Sequence, residues 1–493
     1  MLLLRNVKKF MPDPATTMPN LVVMKFGGTS VEDATAITRT AQIVRGRVAK
    51  GYQVVTVVSA MARVTDQLVA AAGAAGRSDR IGALAINARL RSRHVDTSRQ
   101  LLGYIDAFRH LELQIHSEFD ALDELLRGIA AVGELTPRTQ DQVLSYGERL
   151  SSRIVAAAFS STELDAAHVD ARTCIITDAT FGKALPQDAL TTANLEKHVR
   201  PLLNASRIPV MGGYIGATVE HVTTTLGRGG SDYTAAIVGG ALGAKAIEIW
   251  TDVDGVMTSD PRICPDALRV KYLSFEEAAE LAYFGAKVLH PSTILPAVQK
   301  NIPVYVLNSR NPENQGTRIT AVAPPCLSPF KSIAAKRKLT IIDLVASRML
   351  MSHGYMRAIF EIFDRHRCPV DMVSTSEVSV SLTVDSNEKL PEIAAELSKL
   401  GDVKYEGRKA LICLVGEYLR GHLGVAGRVF TAVSHINVRM ISQGASEINL
   451  SFMIDEDEVD EALRSLHEHF FADADPEIFD IVAKPTTAAT GAK

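Results

Sequence analysis

The sequence predicts an α/β protein in which an αβα sandwich is followed by two smaller modules that repeat one another. Between residues 21 and 309, short apolar runs rich in β-branched residues alternate with stretches of helical periodicity. Such alternation is typical of a largely parallel sheet covered by helices on both faces. In the last third of the chain, one strand–helix–strand pattern occurs twice, with its helices starting near Gly354 and Gly424. These observations define the predicted fold class.

The elements of the sandwich are predicted in chain order from local patterns. An apolar run at 21–24 predicts the first strand, and apolar residues at helical spacing from Ala34 to Val48 predict the following helix. Ser30, with Asp33 three residues later, is typical of a capping box at the start of that helix. Further β-rich runs predict strands at 54–59, 221–226, 247–251 and 304–307.

A long helical stretch separates the early strands from the central ones. Residues 81–126 are helical in pattern and rich in Arg, His and Glu. We interpret about 81–130 as a helical insertion over one edge of the sheet, with a solvated face and no catalytic role.

The C-terminal repeat predicts two ferredoxin-like modules. Residues 354–360 match 424–430 in spacing, and 370–374 match 438–442. Each copy is predicted as strand, helix and strand followed by another β-rich run, which is the pattern of a duplicated βαββ unit. The stretch 478–482 is expected to return and complete the first module.

Composition and charge exclude several classes of protein. The 493 residues are 46% hydrophobic and 22% charged, which is ordinary for a globular protein of several domains. A net charge of −3 without a basic block gives no indication of a nucleic acid or an anionic membrane as partner. No apolar run is long enough to predict a membrane span. Five scattered cysteines without a C-x-x-C pair favour a reduced, cytoplasmic protein with neither a zinc site nor a disulfide framework.

Two glycine turns carry the strongest chemical signals. The first strand runs into K-F-G-G-T-S at 25–30, so Lys25 lies beside Gly27, Gly28 and a helix N-terminus. Glycine amides and a lysine suit a polyphosphate, although neither a Walker A loop nor G-x-G-x-x-G occurs. The second turn, G-R-G-G-S-D at 227–232, places Arg228 and Asp232 before another helix at 233–238. The simpler interpretation of both turns is tight backbone geometry with helix caps.

Other polar residues follow predicted strands or begin predicted helices. Glu148 enters an amphipathic helix, where it suits a bound cation or merely the helix dipole. Ser59 and Thr65 follow the strand at 54–58, where hydroxyl groups also serve as ordinary caps. Arg262, in Asp-Pro-Arg, is compatible with a simple turn.

Taken in order, these motifs resemble the aspartate kinases (aspartokinases). The resemblance covers roughly residues 20–475. It implies an amino acid kinase-like catalytic domain at 19–310 and two ACT modules at 339–407 and 408–475. A flexible lead at 1–18, a linker at 311–338, and a return strand with a disordered tail at 476–493 complete the expected organisation. The matching motifs are K-F-G-G-T-S (25–30), S-x-G-E (145–148), T-T-L-G-R-G-G-S-D-Y-T-A (224–235), W-T-D-V-D-G-V (250–256), F-G-A-K-V-L-H-P (284–291) and S-T-S-E-V-S-V-S (374–381).

The resemblance implies ATP-dependent phosphorylation of the side-chain carboxylate of L-aspartate. The product is 4-phospho-L-aspartate, at the start of lysine, threonine and methionine biosynthesis. Because the acceptor is already an anion, the reaction needs charge neutralisation rather than a general base. Lys25 is expected on the β- and γ-phosphates, with Asp232 orienting it or reaching Mg²⁺. Arg228 would bind the α-carboxylate of aspartate and Glu148 its α-ammonium group.

Further site residues are implied by the same resemblance. Mg²⁺ is expected to be held mostly by phosphates and water, and no protein ligand is assigned to it. Ser59, Thr65 and Ser231 are expected to contact aspartate. The expected ATP-binding residues are Lys25, Gly27, Gly28, Thr251, Asp252, Met257, Arg262 and Lys287.

The ACT modules imply feedback control by an amino acid. Asp371 and Glu377 are the charges available for an ammonium group of lysine, with threonine as the alternative effector. A homodimer paired through the modules, possibly a tetramer, is expected. The residues expected at the effector site are Met349, Ser352, Tyr355, Val370, Asp371 and Glu377.

Three alternatives remain open from the sequence. The protein could be another carboxylate kinase of the same fold that acts on glutamate or acetylglutamate. It could be an amino-acid sensor with a dead kinase half, although Lys25, Glu148, Arg228 and Asp232 argue against this. The ACT modules could also dimerise without sensing anything.

Overall fold

The computed structural model describes residues 20–103, 106–285, 291–326, 328–346, 349, 353–385, 388–417, 419–444 and 446–480. The chain divides into two compact units. The first contains the described residues of Met1–Gly255, Tyr272–Phe275 and Val288–Ala323. The second contains those of Val256–Lys271, Glu276–Lys287 and Pro324–Lys493.

The first unit is built on an eight-stranded sheet. Its strand order is β3-β4-β2-β1-β7-β9-β10-β8, and β9–β10 is its antiparallel pair, the other neighbours being parallel. A separate hairpin, β5–β6, stands beside it. The predicted parallel sheet is therefore confirmed. The strands are β1 (Leu21–Phe26), β2 (Gln53–Val58), β3 (Ala166–Val169), β4 (Ile208–Gly212), β5 (Ile215–Ala217), β6 (Thr223–Thr225), β7 (Ala246–Thr251), β8 (Tyr272–Ser274), β9 (Val304–Asn308) and β10 (Thr317–Thr320).

Helices of this unit pack against the sheet and against one another. Its central strands are buried along almost their whole length, because helices shield both faces from water. The helices are α1 (Ala34–Ala49), α2 (Val64–Gly76), α3 (Arg80–Leu102), α4 (Asp106–Val132), α5 (Pro137–Ser160), α6 (Asp188–His198), α7 (Arg200–Asn204), α8 (Gly230–Leu242), α9 (Phe275–Tyr283, mostly in the second unit) and α10 (Leu295–Gln299).

The start of α1 differs from the sequence prediction. A short 3-10 turn at Gly28–Ser30 precedes the helix, and Asp33 is the N-cap, with its Oδ1 accepting from the Ala36 N–H at 2.8 Å. The Ser30 hydroxyl instead contacts the Ser309 hydroxyl at 2.8 Å. The predicted capping box was wrong because the extra turn moves Ser30 away from the helix start.

The stretch predicted as an insertion is largely helical, and its most extensive contacts are with other helices. Helices α3 and α4 pack against each other and against α2 and α5. Phe119 and Ile115 of α4 are almost completely buried in the same core as the sandwich. The insertion therefore adds a helical layer on top of other helices, because its apolar stripe faces them.

The second unit contains the predicted repeat. Each copy has a long strand, a helix, two strands and a second helix, so the fold prediction is confirmed and the closing helix is additional. The elements are β11 (Ser332–Val345), α11 (Tyr355–Arg365), β12 (Val370–Thr375), β13 (Ser379–Asp385), α12 (Leu390–Leu397), β14 (Asp402–Val415), α13 (Val425–Ala432), β15 (Met440–Gln443), β16 (Asn449–Asp455) and α14 (Val459–Phe471).

The two copies share one six-stranded antiparallel sheet, in the order β12-β13-β11-β14-β16-β15. β11 and β14 pair with each other along most of their length and thereby join the two copies. β11 begins at Ser332, inside the expected linker at 311–338, and β14 crosses the expected module boundary at 407–408. The stretch at 478–480 pairs with 269–271 and not with the first module, because a β-bridge joins Phe479 to Val270.

A fully buried ion pair lies in the second unit. The Nζ of Lys331, just before β11, lies 3.0 Å from Oε2 of Glu277 in α9, and both side chains are fully buried. Breaking such a pair on one side would leave an uncompensated charge in the core.

Within the described part of the chain, no helix is both long and apolar enough for a membrane crossing.

Candidate active site

A polar cavity of about 560 Å³ lies where several strands of the parallel sheet end. The carboxyl ends of β4, β2 and β1 are neighbours, and ligands of open α/β sheets bind beyond such strand ends. Eight residues predicted for the site line it together with Arg63, Asp66, Gly182 and Tyr214. The predicted residues that the fold brings together are Lys25, Gly28, Ser59, Thr65, Glu148, Arg228, Ser231 and Asp232.

Lys25 forms an ion pair inside this cavity. It is the second-last residue of β1, and its side chain is 11% exposed. Its Nζ lies 2.6 Å from Oδ1 of Asp232, in the first turn of α8. The carboxylate fixes the position of the ammonium group, which otherwise has four rotatable bonds. The pair therefore presents a positioned cation at the cavity wall.

Close backbone packing explains several of the glycines. A Cβ on Gly28 would lie 3.0 Å from the carbonyl oxygen of Ala60, and one on Gly213 would lie 2.7 Å from Ser231. In the second turn, Gly227 and Gly229 have φ of +78° and +69°, backbone angles that residues other than glycine rarely adopt. These glycines let the two turns and the sheet approach each other closely around the cavity.

Glu148 is a buried carboxyl group facing the cavity. Its Oε1 accepts from the Ala60 N–H at 3.2 Å, while its Oε2 is buried without a hydrogen-bond partner among the described residues. Burial raises the pKa of Glu148 to about 8, and the Ala60 hydrogen bond and the Lys25 charge only partly oppose this. A cation bound at this carboxyl would restore its ionised form.

Arg228 and Ser231 occupy the turn before α8. Arg228 is exposed at the cavity and makes no ion pair with any residue that the structure describes. Ser231 is buried against Gly213. The cavity thus contains both a guanidinium group and the Glu148 carboxyl, which are opposite in charge to the two charged groups of an amino acid.

Asp141 is a functional candidate that sequence reasoning missed. Its buried carboxylate accepts from the Gly182 N–H at 2.9 Å, the Thr225 N–H at 2.9 Å and the Thr225 hydroxyl at 2.8 Å. Burial raises the pKa of Asp141, and these hydrogen bonds oppose the rise. Thr225 leads directly into the turn that carries Arg228. The available signal was spacing, because Asp141 precedes Glu148 by two helical turns on the same face of α5.

The residues expected at the nucleotide are not all brought to the cavity. Gly27 donates its N–H to the Trp250 carbonyl at 3.0 Å, so the first turn lies beside the end of β7 and hence near Thr251 and Asp252. Neither Thr251 nor Asp252 lines the cavity. Met257 and Arg262 belong to the second unit, where the Arg262 guanidinium is 2.6 Å from Asp260. Lys287 lies outside the described residues.

The predicted effector residues are partly engaged by the protein itself. The Asp371 carboxylate is 2.8 Å from Lys336 Nζ and accepts from the Tyr283 hydroxyl at 2.9 Å. The Tyr355 hydroxyl donates to the Leu400 carbonyl at 2.8 Å. Met349 and Val370 pack on a hydrophobic cluster, Glu377 is exposed, and Ser352 lies outside the described residues.

Comparison with known proteins gives matches over nearly the whole chain. Residues 20–308 match the amino acid kinase family and 412–470 match an ACT domain. Aspartokinase 1 of Arabidopsis thaliana chloroplasts is 38% identical, with 92% of this chain and 80% of that protein covered. Lysine-sensitive aspartokinase 3 of Escherichia coli is 36% identical, with 92% and 100% covered.

Solved structures agree with these matches. The crystal structure of E. coli aspartokinase III with aspartate and ADP, called its R-state, has a TM-score of 0.80 at 35% identity and covers 92% of this chain and 100% of its own. The T-state of that enzyme with lysine and aspartate has a TM-score of 0.77 at 35% identity, covering 92% and 99%.

The region matched at 20–308 is more than half of the chain, and its sheet, glycine turns and cavity are those of an amino acid kinase. The relatives that match over 92% of the chain narrow this class further. The protein belongs to the aspartokinase family.

Proposed function

We propose that this protein transfers the γ-phosphoryl group of ATP to the side-chain carboxylate of L-aspartate. The observation that carries the proposal is the cavity that joins the Lys25–Asp232 pair with Glu148 and Arg228. One guanidinium group and one buried carboxyl group suit the α-carboxylate and α-ammonium of an amino acid. The E. coli enzyme with aspartate and ADP supports the same substrates.

Charge neutralisation is the main task of this cavity. Both reactants are anions, so their repulsion opposes the approach of the carboxylate to the phosphoryl group. The Lys25 ammonium, fixed by Asp232, is placed to neutralise charge that develops during transfer. Glu148 and Arg228 hold the two ends of aspartate, which leaves its side chain directed at the phosphates. No residue needs to remove a proton.

ATP brings Mg²⁺ as its expected companion. Among the described residues, no group of three or more His, Cys, Asp or Glu side chains forms a metal site. Asp232 offers a carboxylate at the cavity, and oxygen ligands suit Mg²⁺. We propose that the phosphates would hold most of the ion's coordination sphere, and that Asp232 would supply a carboxylate oxygen to it.

The direct test is to measure ADP release by the purified protein with aspartate, glutamate or acetylglutamate, and to trap the acyl phosphate with hydroxylamine. We expect ADP release and hydroxamate formation with aspartate, and at least about tenfold lower kcat/KM with either alternative. Faster reaction with glutamate or acetylglutamate would transfer the proposal to another carboxylate kinase. No reaction with any of them would favour the sensor alternative.

Asp141 should act by positioning the turn that carries Arg228. We expect Asp141→Asn to raise the KM for aspartate about tenfold and leave the KM for ATP unchanged, because an amide cannot accept all of the present hydrogen bonds. Thr225→Val, which keeps the backbone bond, should show a smaller rise. Equal changes in both KM values, or a lower melting temperature alone, would indicate a purely structural role.

We also propose feedback inhibition by lysine through the second unit, and a homodimer formed through its ACT modules. The lysine complex of the E. coli relative supports the effector. In this chain, Asp371 is the buried carboxylate whose present cation is itself a lysine ammonium, that of Lys336. The same electrostatic fit would hold an effector ammonium that displaces Lys336.

The effector proposal predicts a change in lysine sensitivity. Asp371→Asn should raise the lysine concentration for half-inhibition at least about tenfold, because a hydrogen bond between charged groups is lost. Asp385→Asn is the matched control, since Asp385 also meets Lys336, at 3.2 Å, but is exposed. Inhibition should be measured with lysine and threonine in parallel. Unchanged sensitivity in Asp371→Asn would remove this residue from the site.

A further inference from the structure

A third cation of the cavity, Arg63, has no role in the assignments above. It lies in the loop between β2 and α2 and lines the cavity with Lys25 and Arg228. Its side chain is exposed, and the guanidinium group forms no hydrogen bond or ion pair with any residue in the described ranges. A charge of this kind at a cavity wall is available to an anionic ligand.

The backbone of Arg63 is in a conformation that arginine rarely adopts. Its φ and ψ are 64° and 4°, in the left-handed region, where a Cβ is disfavoured. Glycine would take this position without strain. Strained positions of this kind persist when the surrounding structure fixes them, and they are concentrated at functional sites.

The surrounding structure does fix this loop. The Ala62 N–H donates to the Gly28 carbonyl at 3.1 Å, and Arg93 of α3 donates to the Ala62 carbonyl at 2.8 Å. Arg93 also donates to the Glu32 carbonyl at 2.9 Å, so one guanidinium group joins the loop after β2 to the segment that follows β1. The loop is therefore held from two sides, and it sits directly on the glycine turn assigned to the phosphates.

We propose that Arg63 binds the phosphoryl group while it passes from ATP to the acceptor carboxylate. This inference rests on the proposed function. The bond between Pγ and the bridging oxygen of ADP breaks, its electron pair leaves on ADP, and a carboxylate oxygen forms the new bond to phosphorus. The Arg63 guanidinium, whose loop is bonded to Gly28, would neutralise negative charge on the equatorial oxygens of the phosphoryl group. Lys25 would do the same from the end of β1.

The position offers a sharp experiment, because glycine removes the charge and relieves the backbone strain together. We expect Arg63→Gly to lower kcat by about 10- to 100-fold with both KM values within about threefold of wild type. Its melting temperature should equal or exceed that of wild type. A residue with only a structural role would show the opposite, namely normal kcat with altered stability.

Two further variants complete the test. Arg63→Lys keeps a charge but not the fork, so its kcat should fall between those of wild type and Arg63→Gly. Arg77→Ala, at the other end of α2 and exposed, should behave as wild type.

Normal kcat in Arg63→Gly would overturn the inference, as would a rise confined to the KM for aspartate or to that for ATP. Wild-type protein that forms no acyl phosphate with any carboxylate would instead overturn the proposed function.

Discussion

Lys25→Ala is expected to lower kcat by at least about 10²-fold while the protein stays folded. The lysine supplies a positioned charge that is most needed when negative charge spreads over the phosphoryl group, and such groups are typically worth about 10²–10³ in rate. The KM for ATP should change less, since a contact made mainly in the transition state lowers kcat. Steady-state kinetics and circular dichroism of the purified variant measure both effects.

Removing Lys25 also leaves Asp232 as an unpaired carboxylate at 13% side-chain exposure. A double variant, Lys25→Ala with Asp232→Asn, separates the two causes. If the rate loss came from the stranded carboxylate alone, the double variant would recover much of the activity. We expect no recovery, because the ammonium itself is required. Lys197→Ala, an exposed lysine on α6, is the matched control.

Glu148→Gln is expected to weaken aspartate binding and to stabilise the free protein at alkaline pH. The KM for aspartate should rise about 10- to 100-fold, since a charged hydrogen bond to the ammonium is lost, with the KM for ATP near wild type. Arg228→Lys should likewise act on aspartate, because lysine cannot reproduce a bidentate fork. If the KM for ATP rises instead, both residues belong to the nucleotide side.

The stability effect follows from the raised pKa of Glu148. Between the ordinary value of 4.5 and about 8, the native carboxyl keeps a proton that the unfolded chain releases. The unfolded state then binds fewer protons, so this group lowers the free energy of unfolding as the pH rises through that window. Glutamine does not titrate. We expect the melting temperature of Glu148→Gln at pH 8 to exceed that of the wild-type protein by at least about 2 °C, and the two melting temperatures to be equal near pH 4.5.

Aspartate binding should also release a proton from Glu148. An ammonium beside the carboxyl lowers its pKa, so the KM of the wild-type protein for aspartate should fall as the pH rises from about 6 to 8. Calorimetry in two buffers of different ionisation enthalpy would count the proton. A KM for aspartate that is flat across this range, in wild type and in Glu148→Gln alike, would contradict the buried, protonated carboxyl.

Sequence alone determined what depends on a few neighbouring residues. Apolar periodicity predicts the first strand, which carries Lys25, and the helices that follow the glycine turns. The backbone freedom of glycine predicts the turns themselves. The repeat that leads to one shared ACT sheet was visible as spacing. The resemblance supplied the residues of the cavity, and the fold brings Lys25, Glu148, Arg228 and Asp232 together.

Only the tertiary structure decided what depends on residues far apart in the chain. The extra turn at Gly28–Ser30 moves Ser30 away from the helix start, and its hydroxyl contacts Ser309, 279 residues away. Asp141 became important because the fold brings Gly182 and Thr225 to its carboxylate. Arg63 combines a left-handed backbone angle with a place at the cavity wall, and no local pattern predicts that combination. Tertiary contacts between distant segments set the burial, the hydrogen-bond partners and the charge environment of each residue. Short-range propensities carry little information about those contacts.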